Sequence, residues 1–185
     1  TGLPLDRIKD RLWRTFKEVF IHERVIRDRF WPGLMHALVF WGFLVFGLVT
    51  VDHFTIGFGI SLFPEAAKHV YTIVAISFAF MVIIGILSLA YRRFIIRPPA
   101  LGALSMTSGL VTIFIVLLMV SYIFGEIALP LDFAKINWWL HSLIILAFLV
   151  LIPRSKHLHL VFAPFNIFFR PFNTPDHKAV SIDLD

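Results

Sequence analysis

The segment INWWLHSLIILAFLVLIPRSKHLHL, residues 136–160, decides how this chain is read. From Ile136 to Ile152 it contains no Lys, Arg, Asp or Glu. At about 1.5 Å per residue, that stretch is long enough to cross most of a hydrocarbon core about 30 Å thick. His141 and His159 are 18 residues apart. At about 100° per residue, 18 steps close five whole turns on one helical face and separate the two imidazoles by about 27 Å. The segment therefore predicts one continuous membrane-spanning helix with a histidine near each end.

The rest of the chain agrees with a membrane setting. Of 185 residues, 58% are hydrophobic and 16% charged, and mean hydropathy is +0.84, far more apolar than a soluble domain of this size. Three further windows are long enough to span: Leu34 to Val51, Val70 to Tyr91 and Leu104 to Phe124, all free of charged residues. The first ends without a small-residue cleavage site, so it reads as a retained span. Eight Lys and Arg precede Leu34, three follow Tyr91 and four follow Ile152, whereas only Lys68 and Lys135 occupy the other two loops. That asymmetry predicts both termini in the cytoplasm. The net charge of +5 is then a matter of topology and anionic lipid, not of nucleic acid.

The expected fold class is an all-α membrane protein with four transmembrane helices and an N-terminal amphipathic interfacial helix. In LDRIKDRLWRTFKEVFIHERVIRDRF, apolar Leu5, Ile8, Leu12, Phe16, Val19 and Phe20 recur at three- and four-residue steps among charges, the period of an amphipathic helix lying on the membrane or against a soluble partner. The expected organisation is residues 1–33 as this helix, 34–152 as the spanning domain and 153–185 as a cytoplasmic interfacial segment and linker. Pro164 and Pro171 interrupt that last segment and should keep it at the interface.

Cysteine is absent, so this chain cannot hold a thiolate-ligated iron–sulfur cluster. Redox chemistry would have to rest on the eight histidines. A b-type haem needs two imidazoles facing one another from different helices at one level of the membrane. On the cytoplasmic side the spacing pairs His36 of the first span with His159, on the His141 face, or with His157, about 160° away from it. Pro153 can kink the helix and alter that phase. On the outer side His141 pairs with His53, 17 residues beyond His36, or with His69. A histidine inside a span is costly to bury without a purpose, which favours a functional reading of His36 and His141. His22 and His177 read as ordinary interfacial polar groups. Gly42, Gly47, Gly85, Ser77 and Ser88 suit close helix contact or a porphyrin face equally.

The runs PGLMHALVFWGF (Pro32 to Phe43), YRRFIIRP (Tyr91 to Pro98) and WWLHSLIILAFLVLIPRSKHLHLVFAPFNIFF (Trp138 to Phe169) resemble the membrane domain of the electron-transfer-flavoprotein:menaquinone oxidoreductases that carry a heterodisulfide-reductase-like iron–sulfur part. More distantly, the chain is similar to the cytochrome b gamma subunit of respiratory nitrate reductase. The resemblance implies a cytochrome b bundle in a prokaryotic cytoplasmic membrane. It carries His36, His141, His157 and His159 as haem ligands, while His53 and His69 lie outside its pattern. It also implies two b haems, menaquinone as substrate, and electron-transferring flavoprotein as partner. Any [4Fe-4S] clusters would reside in a partner subunit or further domain.

The resulting expectation is electron transfer through b haems between a cytoplasmic iron–sulfur or flavoprotein partner and menaquinone. The alternatives are a quinol-oxidising anchor feeding a cytoplasmic reductase, and a haem-free scaffold. For proton exchange with a quinone the sequence offers Asp52, Glu65, Lys68, Glu126, Asp132 and Lys135 outside, and Arg92, Arg93 and Lys156 inside. Each of these reads at least as well as a solvated loop charge.

Overall fold

A computed structural model describes residues 7–126, 130–154 and 158–172. The described residues form helices α1 (Ile8–Phe16), α2 (Glu23–Asp28), α3 (Phe30–Gly57), α4 (Glu65–Tyr91), α5 (Met106–Glu126), α6 (Leu131–Leu151) and α7 (His159–Phe169). Four of these, α3 to α6, are long and apolar enough to cross a membrane. Their outward faces carry large apolar side chains. Trp31 near one end, and Trp138 and Trp139 near the other, are each more than 60% exposed, as expected of aromatic residues at the two interfaces. This is the architecture of a multi-pass membrane protein.

The spanning helices start where the backbone permits it. Pro64 and Pro130 cap α4 and α6 in extended conformations, with no amide of their own to leave unsatisfied. Arg29 caps α3 in an extended conformation, and Pro32 falls within the first turn, where its missing N–H costs nothing. At the far end, Asp52 is buried and its carboxylate accepts the Leu62 amide at 2.9 Å, closing the loop between α3 and α4. At the end shared by the termini, Arg93 donates to the carbonyls of Leu101 and Ala103 and closes the loop before α5. Both charges are thus structural ties and not the solvated groups their loops suggested.

The spanning helices pack in chain order: α3 on α4, α4 on α5, α5 on α6, while α3 and α6 share no extended interface. The core lies along α4, where Ala79 and Val82 meet Met119 of α5, flanked by Phe46 and Tyr122. Small residues set the α3–α4 distance. A Cβ on Gly85 would stand 2.9 Å from the Met35 carbonyl oxygen, and one on Gly42 would overlap the Val82 side chain. Close contact therefore wins at these two positions. Gly47 differs, since a Cβ there would meet nothing within 4 Å.

Two expectations fail. The helix bearing His141 does not continue to His159: α6 ends at Leu151 and Ile152–Arg154 tighten into a 3-10 turn. Pro153 lacks the amide that would bond one turn back, and its ring crowds that turn. The one-face, 27 Å relation between the two histidines is therefore lost. Nor is the N-terminal segment a single helix. It passes from α1 through a π-helical turn, Lys17–Ile21, to a left-handed His22 (φ 56°), and restarts as α2. The C-terminal segment is more helical than its prolines suggested, because α7 runs through Pro164.

Candidate histidine site

The end carrying the termini gathers three histidines. The backbone reversal at His22 folds α2 back onto α3, where a Cβ on Gly33 would come within 2.7 Å of the Ile26 backbone. That reversal presses the His22 ring to 5.3 Å from the His36 ring and 4.8 Å from Phe40. His22 is 5% exposed, and its Nδ1 is buried without a hydrogen-bond partner among the described residues. Burial holds its pKa below the usual imidazole value, opposed by a hydrogen bond involving the Phe20 backbone. The reading of His22 as an ordinary interfacial group is therefore corrected. Its burial depends on a chain reversal that helical periodicity does not encode.

On the other side of His36 lies His159, at the start of α7, with ring centres 6.1 Å apart and planes inclined at 41°. A metal about 2 Å from one nitrogen of each ring would hold two imidazole centres about 6 Å apart. Beside His36 opens a cavity of about 410 Å³ whose lining includes Arg24, Asp28, Arg29, Pro32 and Arg92. Three of its lining residues are arginines and one an aspartate, a positive balance that suits an anionic group beside a largely apolar wall. Among the described residues no three His, Asp or Glu side chains are grouped to cage a bare metal ion. What this end offers is a pair of neighbouring imidazoles from separate helices. His157 lies outside the described residues.

At the far end, His141 of α6 meets Ser121 of α5, with Nδ1 and Oγ 2.7 Å apart. Ser121 Oγ also lies 2.7 Å from the Leu117 carbonyl; when its proton goes there, the hydroxyl accepts from His141 Nδ1 and Nε2 keeps its lone pair for a ligand. One turn earlier on α6, Asn137 donates to the Ser121 carbonyl at 2.9 Å and locks the register of the two helices. His53 on α3 and His69 on α4 are both exposed. Among the described residues no hydrogen bond or ring contact joins either of them to His141, whose partner is Ser121.

Four candidate histidines are spread over three helices. His36 and His53 belong to α3, His141 to α6 and His159 to α7, and α3 and α6 leave a seam between them. Gly47 lies eleven residues past His36, about 20° from it around the helix, and its face is open. A flat macrocycle needs such a side-chain-free stretch, and the donor set fits bis-imidazole ligation. Of the proposed quinone-side charges, Glu65 and Lys68 pair with each other at 3.1 Å on the surface. Arg92 belongs to the cavity beside His36. Lys156 lies outside the described residues.

These features define, over the described residues, an all-helical protein with four helices suited to a multi-pass membrane setting, with His36 between His22 and His159 at one end and His141 held by Ser121 toward the other. Comparison with known proteins links it to electron-transfer oxidoreductases. It is 28% identical, over 88% of its length, to part of the "Probable iron-sulfur-binding oxidoreductase FadF" of Bacillus subtilis (strain 168). It is 25% identical, over 95% of its length, to part of an "EtfAB:quinone oxidoreductase" of Syntrophomonas wolfei. The chain spans 27% and 30% of the length of these two relatives. No family model matches, and no solved structure does.

Proposed function

We propose that this chain is a cytochrome b membrane unit that carries electrons between a cytoplasmic iron–sulfur or flavoprotein partner and menaquinone. The observation that carries the reading is the His36–His159 pair, two imidazoles from separate helices at metal-bridging separation. Support for the partners comes from the relatives, one named for iron–sulfur binding and the other for electron transfer from EtfAB to quinone.

Haem b, when bound, supplies a one-electron carrier whose potential the protein tunes by ligation, charge and dielectric. His36 and His159 would hold one haem iron, and His141 with His53 a second. Arg24, Arg29 and Arg92 would receive the carboxylates of the haem nearer the termini. Ser121, against His141 Nδ1, would accept its hydrogen bond and leave Nε2 to ligate. Large apolar side chains on the outer faces of the spans meet lipid and keep water from the seam.

The test is a dithionite-reduced minus oxidised spectrum of the purified protein. A b-type α-band is expected, diminished by substituting His36 or His159 and independently by substituting His141 or His53. A flat trace overturns the reading.

A further inference from the structure

The helix that carries His159 is anchored in an unexpected place. Because the chain breaks at Ile152–Arg154, α6 cannot hold α7 by helical continuity. Nor does α7 pack extensively on any spanning helix. Its interfaces are with α1 and the π-helical turn that follows α1. The approach of His159 to His36 must therefore be set from the N-terminal segment.

That segment grips α7 by its carbonyl end. Arg11, only 2% exposed, donates to the carbonyls of Phe168 and Arg170 at 3.0 and 3.1 Å. Arg14 donates to those of Ile167 and Arg170 at 2.8 and 2.6 Å. These are carbonyls that a helix terminus leaves without intrahelical partners, at the negative end of its dipole. Glu18 of the π-helical turn pairs with the Arg170 side chain. Beyond it, the Phe172 ring lies under the guanidiniums of Arg7, Arg11 and Arg14, at 4.4 to 4.9 Å. A guanidinium as buried as that of Arg11 is tolerated only while its partners stay in place.

We infer that Arg11 and Arg14 are positioning residues: their clasp on the last carbonyls of α7 holds His159 opposite His36. The geometric part stands by itself, and its consequence for haem rests on the function proposed above. The clasp joins α1 to α7 and sets one member of the pair, so displacing α7 would disturb that pair while leaving Ser121 and His141 untouched.

Two readouts test this. The chain lacks cysteine, so nitroxide labels at Phe43→Cys on α3 and Val161→Cys on α7, both about half exposed, report the α3–α7 distance whether or not haem is bound. A narrow distribution is expected in the parent, and a broadened or displaced one in Arg11→Leu and in Arg170→Glu. The swap Glu18→Arg/Arg170→Glu should narrow it again, which separates loss of the clasp from general misfolding. In haem-containing protein, Arg11→Leu should weaken retention of the His36-dependent haem by about 10- to 100-fold and leave the His141-dependent one in place. Unchanged distances in Arg11→Leu overturn the inference, as does equal loss of both haems. Clasp-dependent distances in a protein without haem would keep the inference and remove the functional reading; haem with clasp-independent distances would do the reverse.

Discussion

A single hydroxyl orients His141. Ser121 Oγ stands 2.7 Å from both His141 Nδ1 and the Leu117 carbonyl, so it engages Nδ1 and leaves Nε2 as the nitrogen to meet a ligand. Ser121→Ala should leave a half-buried ring nitrogen unsatisfied, costing about 1–3 kcal/mol of stability, and on the proposed function should lower occupancy of the His141-dependent haem. Ser142→Ala makes the control, because that hydroxyl only bonds back to the Trp138 carbonyl on its own helix. Haem per chain and thermal unfolding of the two variants decide the matter, and equal behaviour would refute the role given to Ser121. None of this was legible in the sequence, where Ser121 is one small polar residue in an apolar run. His36 and His141 were legible, because a histidine inside a charge-free span stands out against its cost. His22 was not, since its burial comes from the chain reversing at that residue.

Glycine sorts the helix faces into those that touch a neighbour and those that do not. Gly85→Val would drive a side chain into the Met35 carbonyl and Val39. Backbone cannot yield as a flexible side-chain tip does, so a loss of about 1–3 kcal/mol and displacement of the adjoining His36 are expected, visible as a lower unfolding temperature. Gly47→Leu should behave oppositely. With open space around it, the new side chain leaves the fold and its unfolding temperature intact, yet occupies the seam and should reduce haem content. A Gly47→Leu protein with full haem would show that the macrocycle does not lie against this face. The four spans themselves were legible, because charge-free windows of sufficient length have few other fates. The breaks were less so. Pro153 signalled a kink, but whether the helix bends or stops there depends on what holds the chain afterwards, and that is a contact with α1 far away in sequence. The π-helical turns after α1 and α4 carry no periodic signature at all.

At the scale of the molecule, the spanning helices pack in chain order while the first and last share no extended interface, so where the candidate histidines fall is a consequence of topology as much as of any residue. An even number of spans returns the chain to the side where it entered, and the packing of α7 on α1 places both described ends together. Which side that is follows from charge: fifteen Lys and Arg lie in the segments at the shared end and two in the loops at the far end. Cationic segments resist translocation, so the shared end should face the cytoplasm, where the proposed function places its electron-exchanging partner. The cysteine-free chain allows a direct measurement. Ile60→Cys, in the exposed loop after α3, and Leu104→Cys, in the exposed loop before α5, place one thiol on each side. A membrane-impermeant maleimide added to intact cells should label Ile60→Cys and reach Leu104→Cys only after the membrane is opened. The reverse pattern would put the His36–His159 pair on the outer side, away from any cytoplasmic flavoprotein, and would leave only the His53–His141 end within that partner's reach.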